Sequence, residues 1–75
     1  MIKLNEVNTG QKAVVADVCG DSRFLSRVVS IGLTPGCKIE MLHNEGNLPL
    51  LFYGRDTVIA LNREESKDIA VEVVA

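Results

Sequence analysis

The stretch Gly20-Asp-Ser-Arg-Phe-Leu-Ser-Arg-Val-Val-Ser-Ile-Gly-Leu-Thr-Pro-Gly-Cys-Lys-Ile39 decides the fold. It reads as a short helix, a hard stop, a tight turn and the start of a strand. Asp21 or Ser22 can cap the first free amides with a side-chain oxygen. Phe24, Leu25, Val28, Val29 and Ile31 recur at three- and four-residue spacings, which places them on one helical face over about 22–31. Gly32 follows the last apolar residue, where a left-handed conformation ends a helix at least cost. Leu33 stands where an apolar residue folds back onto the last turn, and Pro35-Gly36 carries the chain away.

Working toward the N-terminus, Asn8-Thr9-Gly10 is a turn-forming cluster, and Leu4 and Val7 before it read as core contacts in a lead-in that makes a single helical turn. Residues 12–19 form a strand with small apolar side chains on both faces, suited to bending across a small barrel. Toward the C-terminus, residues 37–43 alternate, with Cys37, Ile39, Met41 and His43 on the inner face because Lys38 and Glu40 lie opposite. Asn44-Glu45-Gly46-Asn47 is a loop. Residues 48–53 are apolar but contain Pro49, so this is an edge strand or it begins just after the proline. Gly54-Arg55-Asp56 turns the chain into a β-branched run at 57–61. Asn62 caps a helical turn with Glu65 three residues on, and residues 69–74 close the chain as a strand.

Seventy-five residues with no repeat or linker make one domain, residues 1–75. The expected architecture is mainly β: a small SH3-like barrel of about five short strands with one helix inserted between strands 1 and 2. An OB-fold is the rival, and it ordinarily needs longer strands. A net charge of −2 with basic residues scattered singly offers no stripe for phosphates, which argues against nucleic-acid binding. Nothing at the N-terminus resembles a signal peptide and no apolar run is long enough to span a bilayer, so a cytoplasmic location with reduced thiols is expected.

Chemistry-bearing residues are sparse. Cys19, Cys37 and His43 lack the paired spacing of a zinc cage, and the cysteines read as buried core fillers. Glu64, Glu65 and Asp68 serve a cap and a solvated turn as well as they would serve a hard cation. No phosphate-cradling loop or nucleophile–base set is present, so no enzyme activity and no cofactor are expected. What remains is surface. Arg23, Ser26, Arg27 and Ser30 lie off the apolar stripe of the helix. The segment Leu50-Leu51-Phe52-Tyr53 carries more apolar bulk than one face can bury, so alternate side chains must point outward. A partner-contact site including Arg23, Arg27, Ser30, Leu51, Phe52 and Tyr53 is expected, for another protein or for self-association. Gly32, Leu33, Pro35 and Gly36 are read as structural.

Arg27-Val-Val-Ser-Ile-Gly-Leu-Thr-Pro-Gly36 followed by Ile39 resembles the helix-to-strand signature of the FeoA family, ferrous iron transport protein A. Leu4, Gly10, Pro49, Ala60-Leu61, Glu64-Glu65, Ile69 and Val71 fit the rest of that pattern. Leu48 before Pro49, Ser66, and Val28 and Ile31 depart from the commoner family residues. The resemblance implies an SH3-like domain of the bacterial cytoplasm that binds FeoB, the membrane ferrous iron transporter with a cytoplasmic GTP-binding domain, without inserting in the membrane itself. It implies as an alternative a free-standing regulatory module acting on an iron-dependent repressor or another protein, since the same domain type closes such repressors. Transition-metal binding is a family-level association, and no residue set in this chain supports it.

Overall fold

The cap, stop and turn signals of the 20–39 stretch are realised locally. The structure, a computed structural model, describes residues 1–74. Asp21 caps helix α1 (Ser22–Ser30), its carboxylate accepting the Phe24 amide at 2.8 Å. At the other end Gly32 adopts φ +88°. The Gly32 amide donates to the Val29 carbonyl and the Leu33 amide to the Val28 carbonyl, each at 3.0 Å. That is the full helix-ending motif, and the buried Leu33 and Val28 supply its apolar contact. Pro35 and Gly36 (φ +93°) are the central residues of a turn closed by the Cys37 amide on the Thr34 carbonyl, the arrangement that demands a glycine at its third position. The turn is pinned by the Gly36 amide on the Val15 carbonyl and the Val15 amide on the Cys37 carbonyl.

The remaining elements are β1 (Ile2–Lys3), a single 3-10 turn (Leu4–Glu6), β2 (Lys12–Val18), β3 (Lys38–His43), β4 (Leu50–Gly54), β5 (Thr57–Leu61), α2 (Arg63–Ser66) and β6 (Ile69–Val74). All strand pairs are antiparallel, in the order β1-β6-β2-β3-β4-β5. This is the expected mainly-β SH3-like architecture with the helix between its first two long strands. It has six strands rather than five, because β1 pairs with β6 through Ile2–Val71 and Lys3–Ala70. Two residues are too few to show a period in sequence. β2 bends at an irregularity between Val15 and Asp17, which lets it serve both β6 and β3. The two outer strands do not pair, so the barrel stays open between β1 and β5.

Leu4, Val7, Val15, Val28, Leu33, Met41, Leu50, Phe52, Ile69 and Val71 form the centre of one core. Val29 is not part of it. It is 60% exposed, because the buried stripe of α1 is narrower than its apolar spacing allows and runs through Phe24 and Val28. Cys37 is buried as expected, whereas Cys19 lies exposed past the end of β2. Ser66 is fully buried, and its hydroxyl donates to the Arg63 carbonyl at 2.8 Å, which explains how a polar residue is accommodated there. Asn62 caps α2 by accepting the Glu65 amide at 2.7 Å, while the Glu65 carboxylate turns to Arg27 instead of closing a capping box.

Gly32 meets a second demand. A Cβ placed there would lie 2.9 Å from both Cγ and Nε of Arg55, whose Nε donates to the Gly32 carbonyl at 3.2 Å. Gly32→Val is expected to destabilise the chain by about 1–3 kcal/mol, mostly through left-handed strain because the arginine end can move. Urea unfolding measures it. A variant as stable as wild type would mean that the helix ends differently.

Candidate protein-docking surface

In β4 the side chains alternate strictly. Leu50 and Phe52 are fully buried, while Leu51 and Tyr53 are 39% and 43% exposed. Phe52, expected among the contact residues, is not available for contact, since its ring faces the core. The segment is also not a sheet edge. Pro49 lies just before the strand, and β4 pairs on both sides, with β3 and with β5. The edge is β5.

Register sets the outer surface. Leu51 pairs with Ala60 and Tyr53 with Val58, so four side chains stand together on the outer face of the hairpin. Val58 is 57% exposed. Leu48 and Pro49, with His43 from the end of β3, extend this surface around an open hollow of about 360 Å³. His43 stands at its rim with Nε2 3.8 Å from the Glu45 carboxylate. An exposed apolar surface of this kind is the candidate docking face of a chain of 75 residues. Sequence reading did not single out Val58 and Ala60, because a β-branched run does not by itself say which of its residues face outward. The signal available was the short Gly54-Arg55-Asp56 turn, which forces the following strand to share the faces of β4.

The polar side of α1 lies across β5 from this surface. Arg27 forms an ion pair with Glu65 of α2 and holds its guanidinium 5.8 Å over the Phe24 ring, yet its side chain stays 54% exposed. The Ser30 hydroxyl donates to the Ser26 carbonyl at 2.8 Å, and Arg23 is exposed one turn before Arg27. Arg27, Ser30 and Ile31 form one wall of a groove whose other wall is Thr57–Leu61. The two expected halves, α1 and β4, are therefore brought to either side of one strand. Gly32, Leu33, Pro35 and Gly36 do the structural work described above.

Among the described residues, no three His, Cys, Asp or Glu side chains converge where they could hold a metal ion. Glu65 serves Arg27, and Glu64 lies 3.3 Å from the Lys67 ammonium. Also among the described residues, no helix is long and apolar enough to cross a membrane.

The FeoA domain model matches residues 2–73. The chain belongs to the FeoA family. Among solved structures, an iron uptake regulatory protein (FeoA) superposes with a TM-score of 0.91 at 25% identity, covering 97% of each chain. A FeoA from Stenotrophomonas maltophilia in complex with zinc, described as a prokaryotic SH3-domain protein and as a candidate ferrous iron transport activating factor, gives a TM-score of 0.83. It is 26% identical, over 96% of this chain and 91% of that one. A manganese-dependent transcriptional repressor shares the fold over 96% of this chain and 41% of its own, with a TM-score of 0.87. At 18% identity that likeness concerns the fold alone. A search of curated protein sequences finds no match to the chain. Family membership associates this chain with ferrous iron transport.

Proposed function

We propose that this FeoA-family chain is an accessory protein that docks on the cytoplasmic portion of a FeoB-type ferrous iron transporter and modulates it. The observation that carries this reading is the exposed apolar face of β4 and β5, with Leu51, Tyr53, Val58 and Ala60 side by side. Side chains of that size left in water in so small a domain are ready to be covered by another protein. No catalytic step is assigned to the chain, and its effect is exerted through binding.

The test is co-purification of the transporter's cytoplasmic portion with wild type and with a Leu51→Glu/Tyr53→Glu variant. Both positions face outward, so the variant should keep its fold, and charges on the interface should weaken the complex by about tenfold or more. A variant that binds like wild type would move the docking site elsewhere. Absence of any complex with wild type would remove the reading.

A further inference from the structure

Strand β5 is an open edge. Gly54 and Thr57 flank a two-residue turn, so they form a hydrogen-bonded pair, and by alternation Tyr53–Val58 and Leu51–Ala60 do not. The N–H and C=O groups of Val58 and Ala60 therefore point away from β4, and no backbone group of the described residues pairs with them. Thr57-Val-Ile-Ala-Leu61 contains no charge, no proline and no bulge, the devices that ordinarily blunt such an edge. Beyond the edge the wall of α1 defines an open groove of about 660 Å³.

We propose that β5 takes up an extended segment of the protein partner as an added strand, with apolar side chains on one face and acidic ones on the other. The proposal rests on the reading that the chain works by docking on another protein. Successive side chains of an added strand point to opposite faces. One row would continue the outer surface of Leu51, Tyr53, Val58 and Ala60, which selects apolar residues. The other row would face the helix wall, where the guanidinium of Arg27, paired with Glu65 on one side, keeps further donors exposed beside Ser30, so a carboxylate fits there as a second partner. A second copy of this chain fits less well. Two-fold pairing about Ile59 would bring its own α1 to the same side of the junction and set one Arg27 against the other.

The probes are blocked peptides of alternating valine and glutamate, the same with lysine for glutamate, and the glutamate peptide N-methylated on alternate residues. Titrated into isotope-labelled protein, the glutamate peptide should shift the Val58 and Ala60 amides and slow their hydrogen exchange. The lysine and N-methylated peptides should bind about tenfold more weakly or worse. Shifts centred elsewhere, or unchanged exchange at Val58 and Ala60, would overturn strand addition. Ala60→Pro removes only the outward amide and should abolish binding with the ladder to β4 intact. If that variant fails to fold, Val58→Lys serves as the edge-blocking replacement, and retained binding by a folded variant of either kind counts against the proposal. The transporter's cytoplasmic portion is then added in place of the peptides. A complex that leaves Val58 and Ala60 exchange unchanged overturns strand addition and leaves docking standing. If no complex forms, the docking reading fails and the peptide titration alone decides.

Discussion

Phe52→Ala should remove about 3–5 kcal/mol, the cost of emptying a fully buried aromatic site. The total stability of a 75-residue domain is on the order of 4–11 kcal/mol, so the variant should be partly unfolded near physiological temperature. Its neighbours supply the control. Leu51→Ala and Tyr53→Ala should each stay within about 1 kcal/mol of wild type, because their side chains already lie half in water. Urea unfolding of the three variants reads the strand residue by residue. Equal losses at 51, 52 and 53 would contradict the register of β4, since a slip of one residue would exchange its faces.

Asn44→Ala is expected to follow, at about 2–4 kcal/mol. Asn44 reads in sequence as one turn residue among four, yet it ties three parts of the molecule together. Its Nδ2 donates to the carbonyls of Val7 at 2.6 Å and Asn5 at 3.0 Å, and its Oδ1 accepts from Arg63 Nη1 at 2.8 Å. Its own amide donates to the Thr9 hydroxyl at 3.0 Å, a bond that alanine would keep. The loss is steep because Arg63 has little else. Its Nε and Nη2 are buried without a partner among the described residues, so removing Asn44 leaves the whole guanidinium unserved. Replacing Arg63 by Met as well should cost less than the two single losses added, since the stranded charge disappears with it. Strict additivity in that cycle would show that the two residues act independently.

These two residues also show how far the sequence was legible. The 20–39 stretch could be read position by position because a cap, an apolar period, a glycine stop and a turn act within a few residues. The burial of Leu4, Ile39 and Met41 followed from pattern as well. What pattern could not supply was non-local. The two-residue β1 exists only through β6, and Asn44 acquires its role from residues more than thirty positions earlier. The same limit governed the candidate site. Pro49 suggested an edge at 50–53, but sheet order depends on pairing between distant strands and gave the edge to β5. Strand alternation restricted the outward residues to two choices. The register with β5 then selected Leu51 and Tyr53, and with them Val58 and Ala60.

The turn at Arg55 and Asp56 has a consequence for motion. Both residues hold left-handed backbones, at φ 55° and 62°, without being glycine. This geometry matches the twist of the hairpin but costs on the order of 1 kcal/mol per residue. Part of what holds the turn there is the bond from Arg55 to the Gly32 carbonyl at the end of α1. The hairpin tip and the last helical turn thus share a fastening, and a fluctuation that frays one releases the other. In native-state hydrogen exchange the amides of Ile31–Leu33 and Arg55–Thr57 should open as one unit, well below the free energy of global unfolding. The helix wall and the strand that bound the groove would then loosen together.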